Sequence, residues 1–251
     1  MLLLLASLGG VTATVIAGDI GYAQWRENQR QRKIYAAFQP TAVPIPPNFV
    51  ERPVISEMIR DRLTKRTRYE VIVGNSGTGK STIVKKVAST IPGAIYIHPA
   101  MGGNVAATLA DAFAAALNWE EQGLSWREAY SNDIIGNDHG RMLERMLEDF
   151  EHLAAKFQAE YGHPAVLVFD NINAIADKDP ELLYKLQSYA KEAADKGSYK
   201  VVFVCSGGVA PAQMKSKLLS ANLRWLRLLM LLQRIQLGRE APRAANAVSA
   251  T

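Results

Sequence analysis

The segment Gly74-Asn75-Ser76-Gly77-Thr78-Gly79-Lys80-Ser81 constrains the fold of this chain more than any other. It matches the pattern G-x-x-x-x-G-K-[ST] at every fixed position, between an apolar run at Tyr69–Val73 and a helical pattern at Ser81–Thr90. Glycines let successive backbone N–H groups turn inward and form a cradle for phosphate oxygens, to which the following helix adds its positive dipole end. The segment therefore predicts a strand, a phosphate-binding loop and a helix.

The loop predicts a nucleotide site with a defined set of residues. Lys80 can reach the β- and γ-phosphates, and the Ser81 hydroxyl can ligate Mg²⁺. We expect the Lys80 side chain to face solvent when no nucleotide is bound. No Asn-Lys-x-Asp motif for guanine recognition occurs in the sequence, so ATP is the predicted nucleotide. The predicted ATP-binding residues are Gly74, Asn75, Ser76, Gly77, Thr78, Gly79, Lys80, Ser81 and Thr82.

An apolar strand pattern, Val166–Asp170, ends in a carboxylate. Next to a phosphate-binding loop, such an aspartate holds Mg²⁺ through water, so we predict Ser81 and Asp170 as the metal residues and Lys80 and Asp170 as the catalytic ones. Asn171 follows, where many hydrolysing ATPases have a glutamate, and an amide cannot accept a proton from the attacking water. We therefore expect slow hydrolysis, with Asp177 and Asp179 as substitute bases, or alternatively a nucleotide-gated interaction module without significant turnover.

Four apolar runs read as buried strands: Tyr69–Val73, Ala94–His98, Ala165–Asp170 and Lys200–Ser206. Helical patterns lie between them, and such alternation predicts an α/β fold with a parallel sheet covered on both faces. Cys205 is the only cysteine, which excludes an internal disulfide. His98, His139, His152 and His163 have no partner at metal-ligand spacing, so we interpret them as structural or solvated.

In the order of these elements, the chain resembles the P-loop NTPases of the additional-strand (ASCE) type, which implies a three-layer fold. More narrowly it resembles AAA+/STAND ATPases, including archaeal-type, origin-recognition-like and fungal STAND-like members. Phe49–Pro53 resembles the segment that lies near the adenine, Gly74–Ser81 the Walker A motif, Val166–Asp170 the Walker B motif, and Ser206 the sensor-1 residue. The resemblance covers residues 48–210 and implies an ATPase domain that uses ATP and Mg²⁺.

After Ser206 the sequence departs from that family, because neither a fifth strand nor the C-terminal helical lid is recognisable. Lys217–Leu237 instead has Trp225, Leu228, Leu229, Leu232 and Ile235 at helical spacing. We predict a basic amphipathic helix and tail over residues 211–251. Such a helix could lie on a membrane, on a partner protein of unknown identity, or over the sheet edge that a missing fifth strand would leave.

The N-terminal residues Leu2–Ala17 carry no charge. Extended to Trp25, the run is long enough to cross a hydrocarbon core of about 30 Å. We predict a membrane anchor at residues 1–25, with a cleaved signal peptide or a buried N-terminal helix as alternatives. The basic residues Arg26–Lys33 then favour an ATPase domain on the cytosolic or mitochondrial-matrix side. Residues 26–47 read as a linker, first basic and then proline-rich.

The charge distribution argues against nucleic acid as a partner. Residues 51–206 hold 18 Lys and Arg against 21 Asp and Glu, a net charge of −3, so the basic excess lies at the two ends of the chain. A nucleic-acid binder more often carries a basic face on its folded domain. We therefore expect no nucleic-acid partner.

Overall fold

The computed structural model describes residues 21–44, 46–47, 49–64, 69–100, 102–120, 139–206, 210, 214 and 224–227. The described strands form one parallel sheet. They are β1 (Glu70–Gly74), β2 (Ala94–Ile97), β3 (Ala165–Phe169), β4 (Tyr199–Ser206) and β5 (Arg224–Arg227). The described helices are α1 (residues 21–36), α2 (Pro53–Thr64), α3 (Lys80–Ala88), α4 (Val105–Leu117), α5 (His139–Tyr161), α6 (Ile172–Lys178) and α7 (Pro180–Lys196).

Helices cover both faces of the sheet. Alternate side chains of each strand point to opposite faces, and along β3 Leu167 joins one buried cluster while Val166 and Val168 join the other. Helices α2 and α3 contribute to the cluster that contains Val166, whereas α1, α4, α5, α6 and α7 contribute to the cluster that contains Leu167. This arrangement confirms the predicted three-layer α/β fold.

The strand order is β2-β3-β4-β1-β5. Strand β4 thus lies between β1, which leads into the glycine-rich loop, and β3, which leads to Asp170. This is the additional-strand arrangement that the sequence predicted. In register, Gly74 lies opposite Ser206 and Phe169 lies opposite Phe203. The loop, Ser206 and Asp170 are therefore brought to the same carboxyl edge of the sheet.

The fifth strand corrects the prediction made for the C-terminal region. Arg224–Arg227 pairs in parallel with β1, from Glu70↔Arg224 to Val73↔Arg227. The predicted helix over Lys217–Leu237 is wrong at these four residues, because β1 would otherwise leave an edge of backbone groups that a parallel partner satisfies. Residues 211–213, 215–223 and 228–251 lie outside the described residues.

The N-terminal region also differs from the prediction. Ile34 at the end of α1 and Phe38 beyond it are fully enclosed in the core, and Arg30 forms an ion pair with Asp149 on α5 at 3.0 Å. Residues 26–38 are therefore part of the folded domain, and the prediction of a linker is wrong for them. A segment with basic and apolar residues can form either a linker or a helix packed on the domain, and the sequence alone does not distinguish these two possibilities.

The predicted membrane-associated localisation is corrected as well. Within the described ranges, no helix has the length and apolar character needed to cross a bilayer. The predicted orientation, with the ATPase domain on the cytosolic or matrix side, presupposed membrane attachment and is corrected together with that localisation. Residues 1–20, which make up most of the predicted anchor, lie outside the described residues.

Candidate functional site

The glycine-rich loop has the backbone conformation that a phosphate cradle requires. Gly77 and Gly79 have φ angles of 77° and 79°, in the left-handed region that side chains with a β-carbon rarely adopt. A β-carbon built at either position would meet no atom within 4 Å, so the space above both residues is open. Helix α3 begins at Lys80, and Gly79 has no side chain with which to cap its first N–H groups. The loop therefore fits a polyanionic ligand.

Lys80 lies inside the loop rather than in solvent. Its side chain is enclosed, with 6% of the residue exposed, and its Nζ donates to the Asn75 carbonyl at 2.9 Å. The same Nζ lies 3.4 Å from Ser206 Oγ. Burial lowers the pKa of Lys80, although Asp170 and Cys205 oppose this shift. The expectation of a solvent-facing Lys80 is wrong, because the Asn75 carbonyl of the loop accepts a hydrogen bond from the ammonium group.

Asp170 follows the end of β3 and is buried, with 2% of the residue exposed. Its Oδ1 accepts a hydrogen bond from the Asn171 backbone N–H at 2.8 Å. Its Oδ2 accepts one from the Tyr96 hydroxyl and lies 3.2 Å from His98 Nδ1. Burial opposes the charge of this carboxylate, but the hydrogen bonds from His98, Tyr96, Ser81 and Asn171 outweigh it and lower the pKa of Asp170. The carboxylate is thus held in its ionised form.

The two residues predicted to hold Mg²⁺ lie close to each other, since the Ser81 side chain is among the groups that lower the pKa of Asp170. A hydroxyl and a carboxylate are hard oxygen donors of the kind that Mg²⁺ prefers. Within the described part of the chain, no group of three His, Cys, Asp or Glu side chains converges on a point. A Mg²⁺ site of the phosphate-dependent type needs only one or two protein ligands, together with the phosphates and water.

A cleft of about 290 Å³ opens beside Ser81 and Thr82. Three further groups of residues line it. They are the basic side chains of α3 (Lys85 and Lys86), the end of β2 with the residue after it (Tyr96 and His98), and the proline-rich segment (Val43, Pro44 and Pro46). The predicted binding residue Thr82 therefore faces the space next to the loop. Tyr96 and His98, which line the cleft, both contact Asp170.

Tyr96 and His98 were missed as site residues by sequence reasoning. His98 was interpreted as structural or solvated, but its imidazole contacts a carboxylate 72 positions further along the chain. The hydrogen bond to Asp170 raises the pKa of His98, while burial opposes the shift. The available signal was positional, because both residues belong to the end of a predicted parallel strand, where ligands of such sheets bind.

The segment before α2 contacts the loop. Arg52 Nη1 donates to the Thr78 carbonyl at 3.0 Å. Lys86 on α3 forms an ion pair with Glu51 and lies 4.8 Å from the centre of the Phe49 ring. On the other side of the site, Asn173 Nδ2 donates to the Ser206 carbonyl at 3.3 Å. These contacts tie the loop and the fourth strand to their neighbouring elements.

Comparison with known proteins identifies one family. A family model described as an AAA ATPase domain matches residues 52–198, which include the loop, Tyr96, His98 and Asp170. Comparison with curated proteins gave no match.

The solved structures to which this chain is similar include two proteins of known identity. The ORC2 protein of Aeropyrum pernix, in ADPNP–ADP complexes, is 14% identical with a TM-score of 0.47, covering 77% of this chain and 50% of that protein. Cdc6p from Pyrobaculum aerophilum is 16% identical with a TM-score of 0.39, covering 76% and 48% respectively. The chain spans about half the length of these two proteins.

Proposed function

Because this chain belongs to the AAA ATPase domain family, we propose that it binds ATP with Mg²⁺ at Gly74–Ser81 and hydrolyses it slowly to ADP and phosphate. One observation carries the proposal: the loop, Lys80, Ser81 and Asp170 meet at one edge of the sheet, although Asp170 is far from the others in sequence. A loop with open space above its left-handed glycines, a lysine and an ionised carboxylate is the combination that phosphoryl chemistry requires.

Each residue has a specific task in this proposal. The N–H groups of the loop and of the first turn of α3 bind the phosphates. Lys80 exchanges its hydrogen bond to Asn75 for a charge-assisted one to a phosphate oxygen. Ser81 and Asp170 would hold Mg²⁺, which when bound neutralises charge on the β- and γ-phosphates. The chain thereby orients the triphosphate for attack by water.

Slow turnover follows from the surroundings of Asp170. Asn171 offers an amide where a base would be useful, and an amide cannot accept the proton. Asp179, one of the two substitute bases considered, accepts a hydrogen bond from the Leu182 N–H at 2.9 Å and so caps α7. These features favour a second candidate, an interaction module in which nucleotide occupancy, not turnover, is the signal.

The first test measures ATP affinity and phosphate release by the full chain and by Lys80→Ala. A hydrogen bond to a charged group contributes about 1.5–3 kcal/mol, so Lys80→Ala should weaken ATP binding by about 10–100-fold. Lys191→Ala, which removes an exposed lysine from α7, is the matched control and should bind ATP as the wild type does.

The outcomes separate the candidates. Unchanged ATP affinity in a folded Lys80→Ala variant would contradict the role of the loop. Phosphate release at about 1 s⁻¹ or faster, within the common range for enzymes, would contradict slow turnover. Tight ATP binding with no phosphate release would favour the interaction module over the enzyme.

A further inference from the structure

We propose that Tyr96 and His98 are positioning residues, which hold the Asp170 carboxylate so that Mg²⁺ strengthens ATP binding. The inference rests on the proposed function and adds to it the residues on which the metal dependence relies. Neither residue belongs to the loop or to the strand that precedes Asp170. Both come from β2 and the residue that follows it.

The strand ladder places both residues beside Asp170. Tyr96 lies opposite Val168, and Ile97 opposite Phe169. The ladder continues one step further, because the Asp170 N–H donates to the Ile97 carbonyl at 2.9 Å. Residues two apart on a strand point to the same face, and the rings of Tyr96 and His98 are accordingly parallel within 2°, with centroids 6.4 Å apart. The position of the two donors is thus fixed by the sheet.

The two oxygens of the Asp170 carboxylate have different kinds of partner, a backbone group for Oδ1 and side chains for Oδ2. Oδ1 accepts from the Asn171 backbone, which no side-chain substitution removes. Oδ2 accepts from the Tyr96 hydroxyl and contacts His98 Nδ1. Since Asp170 is buried, solvent cannot replace these two partners where they are lost. The orientation of Oδ2 therefore depends on the side chains of β2.

Tyr96 is the more enclosed of the two partners of Asp170. Its hydroxyl donates to Asp170, and its side chain lines the same cleft as Ser81. His98 also contacts Asp170, but half of its side chain is exposed to the cleft. Partners that hydrogen-bond to metal ligands fix their orientation, and their loss typically costs about 10–100-fold in metal affinity. We expect the larger effect from Tyr96.

The experiment compares the dissociation constant of ATP in Mg²⁺ with that in EDTA, using the full chain. The ratio of the two constants measures the contribution of the metal. Tyr96→Phe keeps the ring and removes the hydroxyl, and it should reduce the ratio by about 10-fold while leaving the constant in EDTA unchanged. Tyr199→Phe is the matched control, because Tyr199 is a buried tyrosine at the opposite end of the sheet, at the start of β4.

A second pair of variants tests His98. His98→Leu should reduce the ratio by less than Tyr96→Phe does. His98→Asn should restore it, because the amide N–H can take the place of Nδ1. This pair also covers the case in which Tyr96→Phe does not fold, since His98 is half exposed.

Three results would overturn the inference. An unchanged ratio in Tyr96→Phe and His98→Leu would show that Asp170 needs neither partner. Equal weakening of binding in Mg²⁺ and in EDTA would show a purely structural role. Absence of ATP binding by the wild-type chain would overturn the proposed function together with this inference, whereas the first two results would leave ATP binding intact.

Discussion

Asn171, the residue after Asp170, has an uncommon backbone conformation. Its φ is 58°, and the described non-glycine residues with positive φ are Asn118 and Asn171, both asparagines. Asparagine tolerates the left-handed conformation better than other residues with a β-carbon. In this conformation the Asn171 N–H points at Asp170 Oδ1, and α6 begins at the next residue. An asparagine at position 171 therefore suits the left-handed backbone conformation, apart from any contact that its side chain makes.

We predict that Asn171→Glu destabilises the fold by about 1 kcal/mol, since the left-handed conformation costs about 1–2 kcal/mol for an ordinary L-residue. Asn171→Gly should keep the stability within about 0.5 kcal/mol of the wild type, because glycine adopts this conformation readily. Urea denaturation of the three proteins measures the difference. Equal stability of the glutamate and glycine variants would mean that residue 171 does not need a left-handed conformation.

The predictable part of the site consists of residues that a local pattern identifies. The loop residues Gly74–Ser81 could be predicted because phosphate binding requires glycines, a lysine and a hydroxyl residue at this fixed spacing. Asp170 could be predicted because it ends an apolar strand in a chain that also contains such a loop. The partners of Asp170 could not be predicted. Tyr96 and His98 reach it across 74 and 72 positions through a strand register that no local pattern reveals.

At the scale of elements, β1 and β4 share a buried ion pair. Glu70 and Lys200 are 1% and 2% exposed, their side chains are 3.3 Å apart, and Lys200 Nζ also donates to the Arg62 carbonyl. Burial lowers the pKa of Lys200, although Glu70 opposes the shift. The sequence predicted Lys200 as the first residue of an apolar strand, which left no reason to expect a charge inside the sheet.

We predict that Glu70→Leu destabilises the protein by about 3–5 kcal/mol, because it leaves the buried Lys200 without its counterion. Lys200→Met should cost less, because Glu70 keeps an ion pair with Arg62 at 3.8 Å. The double variant should recover most of this loss, since apolar side chains can replace a buried pair. Thermal denaturation of all four proteins gives the coupling energy. Additive losses in the double variant would contradict the pairing.

The same pair gives a sign for the pH dependence. The folded-state pKa of Lys200 lies below its ordinary value of 10.5. Between these two values the unfolded chain binds more protons than the folded one, so the contribution of Lys200 to stability rises with pH through this window.

Strand β5 was missed for a different physical reason. The apolar residues of Lys217–Leu237 fit a helical spacing. In a short apolar run, however, periodicity alone does not distinguish a buried helix from a buried strand. The deciding factor is the edge of β1, which exists only once the sheet has formed. The other four strands were predictable because each is an apolar run that alternates with clear helical patterns along the chain.

At the scale of the whole molecule, α1 and Phe38 attach the N-terminal region to the domain. The Phe38 ring stacks on Phe150 at 5.3 Å between centroids and contacts Phe157, and the Phe38 carbonyl accepts a hydrogen bond from the Gly93 N–H at 2.7 Å. Gly93 has a φ of 77°, and a β-carbon there would lie 2.5 Å from Phe157. Position 93 therefore accepts glycine alone without a shift of the Phe157 ring.

We predict that Phe38→Ala destabilises the domain by about 3–5 kcal/mol, the usual cost of removing a buried phenylalanine. Trp25→Ala is the control on α1, because Trp25 is 57% exposed, and it should change the stability by no more than about 0.5 kcal/mol. Chemical denaturation measures both. A small effect of Phe38→Ala would mean that residues 26–38 act as the linker that the sequence suggested.

The path of the chain after Phe38 has a consequence for self-association. Among the described strands, β2 is outermost on its side of the sheet, and an outermost strand offers a template on which another copy can aggregate. The proline-rich segment begins at Phe38, beside the residue that precedes β2, and reaches the cleft beside Tyr96 and His98 at the end of β2. Prolines cannot donate backbone hydrogen bonds, so Pro40, Pro44, Pro46 and Pro47 make this segment a poor surface for adding a further strand. Prolines beside both ends of β2 therefore disfavour the addition of another strand there.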